Sequence, residues 1–346
     1  ERQRTAARLL PSPLAFDHAI VRVDIDGSVY WLDPALPVQY GSLNRKAAFD
    51  YGKALVTGAA SEELVTVNLP TGYANTYELL ERYEISDFKQ PSELVSELVV
   101  GQSAADYFRS LRAKLPKEEF DRILHSDYLR LLPTAQAIGE VEVRDDQAEN
   151  RLTLVRRYRI PELFEYSQGR FQFGASSPLA LDILRGPEVP RRSTPYELPY
   201  PLDARISQVL VLPNNPIRDI PPPSVERTPY FSLKSTFKRG ELELRRDLQI
   251  TVLKDSVPAD AMLGYIESIQ NLRQKSGVSL SLRVGMLSDA DRQAINQQLQ
   301  RFKRLGKSNS GALNVQIEAE VGIRHRVRQI VQPQSGAGAC KPGDPV

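Results

Sequence analysis

The sequence predicts an α+β chain, a small α+β piece followed by a β-rich, sandwich-like domain with helical insertions. Short β-branched runs punctuated by Gly and Pro recur through 18–33, 138–160 and 230–252, which is the mark of antiparallel strands. A few stretches, such as 103–124 and 258–275, instead repeat apolar residues at helical spacing. The length of 346 residues corresponds to about two domains at ~150 residues each.

Composition narrows the function classes. Hydrophobic residues at 41% and charged residues at 25% are ordinary for a globular chain that buries a core. Lys+Arg 45 against Asp+Glu 43 leaves +2, which disfavours a dedicated nucleic-acid binder, whose basic surplus would be concentrated. No apolar run is long enough for a transmembrane helix. One cysteine, Cys340, excludes an internal disulfide framework and a cysteine-rich metal site. Three histidines, His18, His125 and His325, stand far apart, and a His-built metal centre is not expected. No phosphate-cradling Gly loop or cofactor fingerprint occurs, and no cofactor is expected.

The elements follow in order. Residues 1–17 form a loop through Leu10-Pro11-Ser12-Pro13, because proline and the residue before it disfavour helix. Residues 18–25 and 28–33 are two strands joined at Asp26-Gly27, a two-residue turn of the kind that needs φ > 0. Residues 34–52 are irregular, with short strands expected at 54–57 and 63–67. Pro70, Thr71 and Gly72 mark a domain boundary near 72. The first domain is then 1–72 and the second 73–331, with 332–346 a disordered Gly/Pro/Ser-rich tail.

In the second domain, 75–87 reads as a strand through Tyr77, Leu79, Glu81 and Tyr83, with a helix as the alternative that periodicity alone leaves open. Ser103 with Asp106 resembles a capping box opening a helix through Tyr107, Phe108, Leu111 and Leu115. Pro116 suits the first turn of a second helix carrying Phe120, Ile123 and Leu124. Residues 138–160 are a hairpin turning near Gln147–Asn150. Ten prolines crowd 186–223, so any strand around 206–212 is expected at a sheet edge. Strands follow at 230–237 and 242–252, a helix at 258–275, a helix at 288–305 and a strand at 312–331.

The hairpin register carries the chemistry. If Ile25 pairs with Ser28, Asp33 faces Ile20 and His18 faces Ala35. Side chains alternate along a strand, so His18 and Asp33 share one face as diagonal neighbours, ~7–8 Å or less between Cβ atoms. Arg22 and Trp31 share that face. A carboxylate that orients an imidazole is two-thirds of a nucleophilic triad. The plainer reading of the same geometry is a structural hydrogen bond on a sheet surface.

The run Phe16-Asp17-His18-Ala19-Ile20-Val21 followed by Tyr30-Trp31-Leu32-Asp33-Pro34 resembles the second half of a transglutaminase-like, papain-like cysteine acyl-transfer core. Asp50-Tyr51-Gly52-Lys53-Ala54-Leu55-Val56, Tyr83–Phe88 and the Arg192–Pro201 region are similar, more loosely, to a bacterial branch of that superfamily with β-rich domains beside the core. The resemblance implies a Cys-His-Asp triad with His18 as general base and Asp33 as its orienter. It also implies a protein or peptide substrate, Trp31 as a wall of the substrate site, and a periplasmic or otherwise exported protein. The family's cysteine precedes the histidine, whereas residues 1–17 hold none and the chain starts at Glu1. The nucleophile is therefore expected upstream of this chain, which alone is expected to be inactive, or else to be lost in a degenerate homologue. Ser12, between prolines, does not suit the role, and Cys340 sits in the tail without a helix to lower its pKa.

The remaining features read as structural. His125 is expected as a surface or cap residue, and Arg324, His325, Arg326 and Arg328 as a solvated strand edge. Arg301, Lys303, Arg304 and Lys307 suit a helix C-terminus. The rival to acyl transfer is a non-enzymatic cell-envelope module that binds a protein, with a vestigial His18/Asp33 pair.

Overall fold

A computed structural model describes residues 16, 18–49, 51–58, 63–70, 73–213, 217 and 219–283. The Leu10–Pro13 loop, Asp17, the helix expected at 288–305, the strand at 312–331, the basic cluster around His325 and the tail with Cys340 lie outside the described residues. The expected boundary falls on residues 71 and 72, which also lie outside them.

The chain divides into two compact units, Glu1–Glu165 with Phe173–Leu280, and Tyr166–Gln172 with Ser281–Val346. In the second, the described residues include a turn at Gln168 and Gly169, both at positive φ, with the Tyr166 and Phe171 rings 4.9 Å apart beside it.

The first unit opens with the hairpin β1 (Val21–Ile25) and β2 (Ser28–Leu32). Asp26 and Gly27 take φ of 49° and 77°, the twist that a two-residue reversal demands. The ladder starts at Val21 rather than 18, so residues 18–20 lead into it without strand pairing. β3 (Gly52–Ala54) and β4 (Val65–Val67) pair with each other, the first lying earlier than the expected 54–57.

The remaining elements are β5 (Asn75–Glu84), β6 (Ser92–Gly101), α1 (Gln102–Lys114), α2 (Lys117–Leu131), β7 (Gln136–Ala137), β8 (Glu142–Asp146), β9 (Arg151–Ile160), β10 (Glu165–Ser167), β11 (Arg170–Ala175), α3 (Pro178–Ile183), β12 (Tyr196–Glu197), β13 (Leu202–Val211), β14 (Ser224–Arg227), β15 (Phe231–Arg239), β16 (Glu243–Val252), β17 (Ser256–Val257), α4 (Met262–Ser276) and β18 (Val278–Arg283). A nine-stranded sheet runs β14-β15-β16-β13-β5-β6-β9-β7, with β8 also on β9. Only β13 and β5 run parallel; the other neighbours in this sheet are antiparallel.

The core face of the large sheet is covered by helices and also by Phe173 of β11, whose ring lies edge-on 5.6 Å from Tyr83. The reason lies in the strand patterns. Alternate residues of β6, β9, β13 and β16 are buried and the intervening ones mostly are not, so each strand offers one apolar face. Ala104 and Ala105 of α1, Phe120 and Leu124 of α2, Ala180 and Ile183 of α3, and Met262, Tyr265, Ile269 and Leu272 of α4 join that face in a single core. The opposite face carries Glu78, Arg82, Glu97, Arg157, Arg205 and Asp247, at positions that stay partly or fully exposed.

Three neighbouring cross-strand rows show how the core is written. Leu154, Leu98, Leu79, Ile206 and Leu248 face one another across β9, β6, β5, β13 and β16. Two positions along each strand, the row is Arg156, Ser96, Glu81, Gln208 and Arg246, and the next is Tyr158, Leu94, Tyr83, Leu210 and Leu244. All the side chains of the polar row are buried and bonded in sequence. Arg246 donates to Gln208 at 3.4 Å, Gln208 to Glu81 at 2.9 Å, and Arg156 to Ser96 at 2.9 Å. Tyr128 of α2 bridges the centre, with its hydroxyl 2.5 Å from Glu81 and 3.0 Å from Ser96.

Several expectations are corrected here. β13 is an interior strand, because the nearby prolines Pro199, Pro201 and Pro213 fall outside Leu202–Val211 and leave its backbone free to pair on both sides. Ser103 and Asp106 form no capping box. The N-cap of α1 is Gly101, while Ser103 donates to Asn75 and Asp106 accepts from Arg109. Pro116 is itself the N-cap of α2. His125 is buried, 3.0 Å from the Tyr158 hydroxyl, because its side of α2 packs on the sheet. Among the described residues, no helix is long and apolar enough to cross a membrane.

Candidate functional site

The site is built from the end of the hairpin outward. The observed register, with Ile25 opposite Ser28 and Val21 opposite Leu32, sets Asp33 immediately after β2. His18 Nε2 lies 2.7 Å from Asp33 Oδ2. Asp33 is 6% exposed, whereas the His18 side chain is 38% exposed. The acid is enclosed and the imidazole is open on one side.

Asp33 is held at both carboxylate oxygens and at its carbonyl. Its Oδ1 accepts from the Ala35 amide at 3.0 Å, the local turn that Asp side chains favour. Its carbonyl accepts from the Leu36 amide at 3.3 Å and from the Gln39 side chain. Its Oδ2 accepts a second hydrogen bond, from the Tyr51 hydroxyl at 2.5 Å. The Tyr51 ring also stacks on His18, with centroids 5.5 Å apart and planes 23° from parallel, and Phe49 lies 6.0 Å from Tyr51.

The electrostatics follow from these contacts. Burial pushes the Asp33 carboxyl up, but the hydrogen bonds from Tyr51, His18 and the Ala35 amide, with the His18 charge, outweigh it and hold the group below its ordinary value. Asp33 is thus ionised at neutral pH and can only accept. Both Nε2–H of His18 and O–H of Tyr51 then donate to it. Burial first, then the bond to Asp33 and its charge, push the Tyr51 hydroxyl well up, so Tyr51 stays a proton-bearing donor. In neutral His18 this leaves the Nδ1 lone pair free for an incoming proton, and among the described residues no hydrogen-bond partner occupies Nδ1.

Trp31 pairs with Arg22 across the hairpin and is half-buried. Sequence reasoning did not single out Tyr51 as a site residue. Its stretch was noted only for resemblance, and no local periodicity links position 51 to position 33. Among the described residues, no three His, Cys, Asp or Glu side chains converge as metal ligands.

Away from the hairpin, a cavity of about 350 Å³ is lined by Tyr77, Leu179, Tyr196, Leu198 and Leu202, with Asp182, Arg185 and Glu197 beside them. Comparison with protein-family models, with curated proteins and with solved structures finds no match to this chain.

Proposed function

We propose that the chain is the His/Asp-bearing portion of a transglutaminase-like cysteine acyl-transfer enzyme, exported to a bacterial envelope. The observation that carries the reading is the 2.7 Å contact between an enclosed, ionised Asp33 and a half-open His18. An imidazole whose Nε2–H is held by a carboxylate is set to take a proton at Nδ1 and return it. Asp33 fixes the tautomer and stabilises the imidazolium.

In the proposed reaction a thiol gives its proton to Nδ1 of His18 and attacks an amide carbonyl of a protein or peptide. The tetrahedral oxyanion collapses, the leaving amine takes the proton from His18, and a thioester remains. Water or a second amine then opens the thioester, again with His18 as base. Water gives a peptidase or amidase, and an amine gives a cross-linker. Trp31, two residues before Asp33, would wall the substrate side.

The test is amide hydrolysis and amine incorporation, measured on the polypeptide as its gene encodes it and on this chain. The encoded polypeptide is expected to be active, and His18→Ala and Asp33→Ala to lower its rate by about 10² or more. This chain alone is expected to be inactive. Activity indifferent to His18→Ala, or activity of this chain that Cys340→Ala abolishes, would overturn the reading.

The cavity beside Tyr77 and Tyr196, whose wall mixes aromatic and apolar side chains with Asp182, Arg185 and Glu197, favours a second reading, a binding module. Binding of a protein partner that survives His18→Ala and Asp33→Ala, with no acyl transfer in any form, would select it.

A further inference from the structure

We propose that Asn150, on the β8–β9 turn of the large sheet, is a positioning residue for the His18–Asp33–Tyr51 cluster. The large sheet is then the frame that sets the cluster's geometry. The inference deepens the acyl-transfer reading and rests on it for its catalytic meaning.

Asn150 is fully buried, at φ 48°. Asn tolerates this left-handed conformation better than most residues. All four of its polar groups are engaged. Its N–H donates to the Gln147 carbonyl at 3.4 Å, and its carbonyl accepts from the Gln102 amide at 3.2 Å. Its Oδ1 accepts from Arg109, and its Nδ2 donates to the Arg45 carbonyl at 3.2 Å. The last bond ties the sheet to the loop between Asp33 and Tyr51.

The surrounding contacts make that tie specific. Arg109, buried and held by Asp106 at 2.9 Å and Asp145 at 2.7 Å, lays its guanidinium over the Tyr40 ring at 4.9 Å. Gly41 takes φ +87°, and a Cβ there would stand 3.0 Å from the Cβ atoms of both Arg45 and Asn150. At one end of the loop, Gln39 donates to the Asp33 carbonyl. At the other, the Ala48 amide donates to the Tyr73 hydroxyl at 3.0 Å, three residues before Tyr51. The loop that joins Asp33 to Tyr51 is thus pinned at Tyr40 to Arg109 of α1, at Arg45 to the β8–β9 turn and at Ala48 to Tyr73 just before β5.

Asn150→Asp tests the tie on the full chain. Aspartate keeps the left-handed tolerance and the acceptor for Arg109, but it loses the Nδ2 donor and sets a carboxylate against the Arg45 carbonyl. The readout is solvent exchange of the His18 Nε2 proton, followed by imidazole NMR with His125 as internal reference. Exchange at His18 is expected to rise about tenfold, a loosening of about 1.4 kcal/mol, while His125 is unchanged. Tyr73→Phe, which removes the acceptor of the Ala48 amide together with the hydroxyl's own donation to Asn75 at 3.2 Å, is expected to move His18 in the same direction. The exposed Arg45–Glu149 pair is the control, and Glu149→Gln is expected to leave His18 as it was. His18 signals in Asn150→Asp and Tyr73→Phe that superimpose on the parent overturn the proposal. A failure to find acyl transfer in any form would overturn the enzymatic reading and leave this NMR result standing.

Discussion

The hydroxyl of Tyr51 and the imidazole of His18 meet at one oxygen of Asp33, and their rings stack. The carboxylate is therefore held from two sides by donors that touch each other. Tyr51→Phe separates the two contributions, since it keeps the stack and removes the hydroxyl. A hydrogen bond to a charged group contributes about 1.5–3 kcal/mol, and partial exposure of this site brings the expected loss to about 1–2 kcal/mol in urea unfolding. The Asp33 carboxyl is depressed in the folded chain. Its stabilisation is complete above the unfolded-state value and is lost as pH falls through the lower folded value. With one lowering contact gone, that loss is expected at higher pH in Tyr51→Phe, checked by carboxyl-carbon NMR of Asp33.

Glu81 is expected to behave in the opposite sense. Burial pushes its carboxyl up against the lowering contacts of Tyr128, Gln208 and Arg156. The folded chain holds a proton there that the unfolded chain has released. Stability from this group is greatest below the unfolded-state value and falls as pH rises through the raised folded one. Glu81→Gln removes the titration, and the pH dependence of stability is expected to flatten across that window. Glu81→Leu should cost more, about 1–3 kcal/mol for each orphaned donor, because Gln208 and Tyr128 lose their shared acceptor. Chemical unfolding at several pH values distinguishes the two substitutions.

His125 supplies a third pH signature. Burial and the nearby Arg156 charge lower its pKa, against the opposing charge of Asp121. Among the described residues its buried Nε2 has no hydrogen-bond partner. The unfolded chain therefore binds a proton on this residue before the folded chain does. Stability is expected to decline as pH falls through the ordinary histidine value. His125→Gln should remove that decline, measured as the slope of unfolding free energy between about pH 5 and 7.

Gly41→Ala addresses the loop from the backbone side. Positive φ and two Cβ neighbours at 3.0 Å leave no relaxed place for the methyl group. A loss of about 1–3 kcal/mol is expected, read as a lower midpoint in thermal unfolding. Gly27→Ala has the same kind of φ but nothing within 4 Å, so its cost should be the smaller of the two. Equal losses would remove crowding as the cause at Gly41.

Much of the architecture was legible locally, and the exceptions have physical reasons. β6 was not anticipated, although Leu94, Ser96, Leu98 and Val100 alternate with Glu93, Val95, Glu97 and Val99. Ser96 at the central buried position masks the apolar stripe. Glu81, Gln208 and Arg246 interrupt β5, β13 and β16 in the same row, yet the sequence still predicts strands at 75–87, around 206–212 and at 242–252. β13 lay in a proline-rich stretch whose prolines fall just beyond its ends.

The sequence by itself determined the nearness of His18 and Asp33. Asp26 and Gly27 allow a two-residue reversal, and the ladder carries that register back to Val21, three positions after His18, opposite Leu32, the residue before Asp33. Tertiary structure alone decided that Tyr51 closes on Asp33 and that Asn150 holds the loop between them. Those contacts join residues 18 and 105 positions apart. Nothing in the local backbone sets such separations. They follow from how the loop is buried against the sheet, where every enclosed polar group must find a partner.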